Sequence, residues 1–233
     1  MKFSHKIRKL AQPLTYRRGW RRVERIIHPL RLAPLYARID QAKLAALQSR
    51  YASSKEHYAK YADVERWLRL NIVRAQDLKL HRCRPLSILD LGCGGGFFVF
   101  VAQELGHSGL GLDIDVFPLF GELLDLLHVE RKVWAIQPFQ PLPNLGRSFD
   151  LVTAFSIDFN RKSRHDWWGP AEWDFFLGNL YEQINPNGRV YLELNPRQDG
   201  EYYAPELHDF FRSQGASVER ERVAFPPKGR PLK

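Results

Sequence analysis

The stretch Ile88-Leu89-Asp90-Leu91-Gly92-Cys93-Gly94-Gly95-Gly96-Phe97-Phe98 decides the fold of this chain. Its first residues are apolar, as in a parallel strand that is covered on both faces, and Asp90 falls where that strand reaches the carboxyl edge of the sheet. The alternate glycines allow positive φ angles and have no Cβ, so the backbone can turn sharply and lie against a ligand. The stretch therefore predicts a ligand site at the carboxyl edge of an open α/β sheet.

The spacing of the glycines separates two kinds of ligand. Dinucleotide-binding enzymes also use a strand, a glycine-rich turn and a helix, with glycines at relative positions one, three and six. Counting from Gly92 gives Gly92, Gly94 and then Phe97, so the third glycine is missing. Asp90 would repel a diphosphate and attract an ammonium group. The stretch therefore favours a ligand that carries a positive charge.

Further landmarks lie in order along the chain. The stretch resembles the first motif of the class I S-adenosylmethionine-dependent methyltransferases, which runs hydrophobic, hydrophobic, Asp or Glu, x, Gly, x, Gly, x, Gly. The apolar run 109–115 is similar to the family's second strand, and the resemblance implies that Asp113 binds the ribose hydroxyls. Residues 148–154 and 184–192 look like its fourth strand and the turn into its fifth.

The resemblance implies S-adenosylmethionine as the cofactor and a set of residues that bind it. Asp90 would attract the ammonium group and the glycine turn would lie against the ligand, while Gln137 would lie near the adenine amino group, with Phe139 or Ile114 against the ring. The full set is Asp90, Gly92, Cys93, Gly94, Gly96, Asp113, Ile114, Gln137, Phe139 and Phe155. No HxxxH, CxxC or clustered carboxylate spacing occurs, so we expect no metal.

Helical and strand patterns alternate after Asp113, which predicts an α/β fold with a doubly wound, mostly parallel, Rossmann-like sheet. The resembled family has seven strands, the last of them antiparallel beside the sixth. Here residues 217–225 read as one strand and only a short Pro-rich tail follows. We therefore expect six strands with a shortened C-terminal edge. Residues 81–233 would form the methyltransferase domain, and residues 1–80 a basic helical N-terminal extension.

The loop after the fourth strand is expected to contact the methyl acceptor. The implied reaction is a direct in-line displacement at the sulfonium methyl group. Asp158 and His165 are the candidates for a general base, because an oxygen acceptor must lose its proton. A polar loop with His165 beside Asp166 is also typical of a surface turn.

Several acceptors remain open. The loop has no Asn/Asp-Pro-Pro-Tyr/Phe run, which disfavours methylation of the exocyclic amino groups of adenine or glutamine. We expect an oxygen of a small molecule, or of a glycan or lipid-linked precursor. A nucleic-acid methyltransferase and a catalytically idle scaffold of the same fold are the alternatives.

Positive charge is concentrated at the start of the chain. Residues 1–60 carry +12 and the whole chain carries +9, which leaves −3 for the rest. Five arginines between positions 17 and 25 lie among Trp20, Val23, Ile26 and Ile27 at helical spacings. Such a helix suits an anionic membrane surface, nucleic-acid phosphates, or an arm that packs its apolar side on the core.

The remaining composition is that of a soluble protein. The longest apolar runs are too short to span a bilayer. Only Cys83 and Cys93 are present, which fits a reducing compartment and excludes a disulfide scaffold. We expect a cytoplasmic protein, with peripheral contact at the inner membrane surface through residues 1–40.

Overall fold

The computed structural model describes residues 13–157, 159 and 167–227 of the 233-residue chain. In this part of the chain the helices are α1 (Pro13–Ile27), α2 (Leu32–Tyr36), α3 (Gln41–Tyr51), α4 (Val64–Asp77), α5 (Phe97–Glu104), α6 (Pro118–Leu127), α7 (Pro170–Glu182) and α8 (Pro205–Ser213). The strands are β1 (Ser87–Leu91), β2 (Ser108–Asp113), β3 (Arg131–Val133), β4 (Phe149–Ile157), β5 (Ile184–Leu194), β6 (Ser217–Glu219) and β7 (Arg222–Ala224).

The strands form one sheet in the order β3-β2-β1-β4-β5-β7-β6. The first five strands pair in parallel, and β7 runs antiparallel to both β5 and β6. Helices cover both faces of the sheet. Ile88 points into a hydrophobic cluster with α4, α5 and α6, and its neighbour Leu89 points into another with α7 and α8. The predicted doubly wound α/β fold is confirmed.

The predicted count of six strands is wrong, and the reason is a turn that the sequence does not mark. The segment read as one strand folds back on itself, so that Glu219 pairs with Arg222. The two-residue turn places Arg220 at a φ of +56°, a conformation that glycine or asparagine usually adopts in such hairpins. Both resulting strands are three residues long, so the expected shortened edge is present.

The helices before residue 80 share a hydrophobic core with the sheet. Leu35 of α2, Leu44 of α3 and Leu68 of α4 are buried in the same cluster as Phe98 of α5. This packing places the loop between α3 and α4 beside the carboxyl ends of the central strands. Among the residues that the structure describes, no helix is long and apolar enough to cross a membrane.

Candidate active site

A cavity of about 1200 Å³ opens at the carboxyl ends of β1, β2 and β4. It is lined by the glycine turn after β1, by the residues that follow β2 and β3, and by the end of β4. The N-terminal helices contribute its outer wall. This is the edge at which open α/β sheets bind their ligands.

The glycine turn and the end of β2 are held together through Asp113. Its carboxylate accepts hydrogen bonds from the backbone N–H groups of Gly94, at 2.6 Å, and Ile114, at 2.7 Å. The Gly92 N–H donates to the Leu112 carbonyl at 2.7 Å. Burial raises the pKa of Asp113, and the two amide hydrogen bonds act against that rise. The carboxylate is therefore fixed in direction and lies on the cavity wall.

Asp90 is a buried carboxyl group at the end of β1. The Thr153 hydroxyl donates a hydrogen bond to it at 2.7 Å. Burial raises the pKa of Asp90 to about 7, against the opposing effects of this hydrogen bond and of the Arg74 charge. Because desolvation disfavours the ionised form, a cation bound in the cavity beside Asp90 would stabilise its charge.

Arg74 lies in the cavity wall and was not expected from the sequence. It belongs to α4, pairs with Glu193 of β5 at 3.2 Å, and has its guanidinium 4.3 Å from the centre of the Phe155 ring. Its side chain is 12% exposed. The sequence signal was faint, since an arginine beside the apolar stripe of a helix is normally solvated.

Aromatic side chains form the outer wall of the cavity. Tyr61 stacks on Trp67 at 4.4 Å between ring centres, and Tyr58 lies 5.1 Å from Phe117. Across the cavity, Trp134 follows β3, and its buried indole N–H has no hydrogen-bond partner. A buried donor without a partner favours a ligand that carries an acceptor.

No family model matches the sequence. The chain is 27% identical over 155 residues to a tRNA U34 carboxymethyltransferase of Idiomarina loihiensis, a match that covers 60% of this chain and 45% of the relative. It is 24% identical over 200 residues to the mitochondrial ubiquinone biosynthesis O-methyltransferase of Mus musculus, covering 78% and 49%. The chain thus spans about half the length of the curated relatives it matches.

A solved structure is also similar at low identity. It is ribosomal protein L11 methylase from Lactobacillus delbrueckii subsp. bulgaricus, with 18% identity, a TM-score of 0.44, and coverage of 70% of this chain and 77% of that one. The strand order of the present sheet, with β7 antiparallel beside β6, decides the architecture. The chain has the class I methyltransferase fold. One curated relative is named as a carboxymethyltransferase and the other as an O-methyltransferase.

In this methyltransferase fold, most of the predicted cofactor-binding residues come together around the cavity. Those on its wall are Asp90, Gly92, Cys93, Gly94, Asp113, Ile114, Gln137 and Phe155. Cys93 is buried, and burial raises the pKa of its thiol well above the usual value. It fills space against Gly111, where an added Cβ would lie 2.5 Å from its sulfur.

Two of the predicted cofactor-binding residues do not line the cavity. Gly96 is the N-cap residue before α5 and faces away from the cavity, since an added Cβ would lie 2.8 Å from Leu124. Phe139 is 55% exposed, and its ring contacts Phe175 instead of the cavity. Asp158 and His165, the candidate bases, lie outside the residues that the structure describes.

Proposed function

We propose that this protein transfers a methyl group from S-adenosylmethionine to an acceptor bound in the same cavity. The observation that carries the proposal is the pair of fixed carboxyl groups on one wall. Asp90 is buried with a pKa near 7, and Asp113 is held by two backbone amides, with the glycine turn between them. This set suits a ligand with an ammonium group at one end and vicinal hydroxyls further along.

The residues of the cavity fit that cofactor. Asp90 accepts from the ammonium group, and Asp113 accepts from the ribose hydroxyls. The partnerless Trp134 indole N–H and Gln137 offer polar groups on the adenine side. S-adenosylmethionine supplies an electrophilic methyl group on its sulfonium. The aromatic wall would shield the two reactants from water, and holding them in line would lower the barrier to displacement.

The acceptor that we propose is an oxygen of a small molecule, or of a glycan or lipid-linked precursor. The cavity continues past Ser156 to Trp167, Trp168, Glu172 and Asn195, which supply two indole rings, a carboxylate and an amide. The name of one curated relative, an O-methyltransferase of ubiquinone biosynthesis, supports an oxygen acceptor. Asp158 and His165 remain the proposed general bases. Peripheral contact of residues 1–40 with an anionic membrane belongs to the same proposal.

A second candidate acceptor is a nucleic acid, because the other curated relative is named as a tRNA-modifying enzyme. The two candidates differ in the salt dependence of acceptor binding. Contacts to phosphates release counterions, so nucleic-acid binding falls steeply with salt, whereas binding of an uncharged small-molecule acceptor does not.

Calorimetric titration of S-adenosylmethionine into the purified protein tests the cofactor. We expect binding by the wild type and loss of binding by Asp113→Asn. Asp115→Asn is the matched control, because Asp115 is two residues away, is 58% exposed and pairs with Arg131. Absence of binding by a folded wild type would refute the methyltransferase proposal and favour the scaffold. Binding would justify an acceptor screen that measures S-adenosylhomocysteine.

A further inference from the structure

Helix α1 turns its apolar side chains towards solvent. Trp20, Val23, Ile26 and Ile27 are 54%, 43%, 72% and 60% exposed. Their spacing of three, four and seven residues places them on one side of the helix, so they form a continuous apolar ridge. Packing of this apolar side on the core was one of the alternatives in the sequence analysis. In the structure the side faces solvent instead.

Charged side chains dock the other side of α1 onto the domain. Arg21 pairs with Glu219 of β6 at 2.9 Å, and Arg25 pairs with Asp77 at the end of α4 at 3.4 Å. The side chains of Glu219 and Asp77 are only 8% and 5% exposed. Glu24 adds an ion pair with Lys79 at 3.0 Å. Because these pairs lie opposite the ridge, they fix the helix with its apolar side outward.

We propose that this ridge, formed by Trp20, Val23, Ile26 and Ile27, inserts into an anionic lipid surface. The inference deepens the proposed membrane contact and does not depend on methyl transfer. A helix that lies in a membrane interface combines an apolar face with surrounding cations. The segment of residues 1–60 carries +12, and Arg22 is exposed on the same helix as the ridge. Anionic headgroups attract such a segment.

Charge disfavours the other occupants of the ridge. A second copy of this chain would bring two segments of +12 face to face, and their repulsion would oppose the contact. A nucleic acid would gain nothing from Ile26 and Ile27, since its phosphates contact cations. An anionic lipid surface satisfies both the apolar ridge and the charge around it.

Co-sedimentation of the full chain with phosphatidylcholine vesicles, with and without phosphatidylserine, tests the proposal. The variant is Ile26→Glu, and the control is Val116→Glu, at a residue 59% exposed away from α1. A truncation is avoided because Leu35 and Ile39 belong to the core. We expect the wild type and the control to bind phosphatidylserine vesicles, and Ile26→Glu to bind about tenfold more weakly or worse.

Three results would overturn the proposal. The wild type fails to sediment with anionic vesicles, or Ile26→Glu binds them as well as the wild type does. In the third, sedimentation velocity shows a wild-type dimer that Ile26→Glu converts to a monomer, which assigns the ridge to a second copy. Titration of S-adenosylmethionine without lipid separates this proposal from the proposed function. Ile26→Glu should retain the wild-type affinity, which also shows that the variant is folded.

Discussion

Asp90 is predicted to destabilise the ligand-free protein at neutral and alkaline pH. Its pKa is about 7 in the folded protein, against 3.8 for an unperturbed group. Between these values the folded state holds a proton that the unfolded state has lost, so the free energy of unfolding falls as pH rises through this window. Since one pKa unit corresponds to about 1.4 kcal/mol, the penalty is about 2 kcal/mol at pH 5 and about 4 kcal/mol at pH 8.

Asp90→Asn removes this titration while keeping an oxygen that accepts from Thr153. Relative to the wild type, the variant should therefore gain about 2 to 3 kcal/mol of stability between pH 5 and pH 8. Any fixed cost of the new amide group is the same at both pH values and cancels in the difference. Urea unfolding of both proteins without ligand, at pH 5 and at pH 8, measures this quantity.

The matched control is Asp150→Asn, because Asp150 lies at the start of β4, at the end of the strand away from the cavity. Burial raises the pKa of Asp150, but hydrogen bonds from the Ser87 amide and Asn185, together with Arg84, outweigh it and lower the pKa. Asp150 is therefore ionised in both states from pH 5 to pH 8, and its substitution should cost the same stability at both. If Asp90→Asn changes the free energy of unfolding by the same amount at pH 5 and at pH 8, the inferred burial penalty is refuted. The pKa of Asp90 would then not be raised in the folded protein.

Three further predictions concern the same site. The affinity for S-adenosylhomocysteine should fall about fivefold from pH 7 to pH 6, because the ionised fraction of Asp90 drops from about one half to about one eleventh. Calorimetry at both pH values checks this for the wild type. The affinity of Asp90→Asn should not change over the same range. Thr153→Val removes the hydroxyl that donates to Asp90, so this pH dependence should move to higher pH; an unchanged midpoint would show that the hydrogen bond does not hold the charge. In urea unfolding, Gly96→Ala should lower the free energy of unfolding by more than Gly146→Ala does. Both glycines have a positive φ, but only at Gly96 would an added Cβ approach Leu124. Equal losses of stability would mean that Leu124 moves aside freely.

Much of the site could be predicted from the sequence because its residues lie in short, continuous stretches. The glycine turn, the carboxylates at the ends of β1 and β2, and the alternation of helices and strands all follow from short-range spacing. The missed features have no local signal. The hairpin at Arg220 lacks a glycine or asparagine, and Arg74 reaches the cavity only because α4 packs beside Phe155.

The sequence by itself determined the fold class and the two carboxyl groups on the cavity wall, because strand ends and glycine turns are set by neighbouring residues. Only the tertiary structure decided which way α1 faces. Its sequence is amphipathic in either orientation, and the choice depends on carboxylates far along the chain, at Asp77 and Glu219, that pair with its arginines. Those long-range ion pairs place the charges inward and the apolar ridge outward.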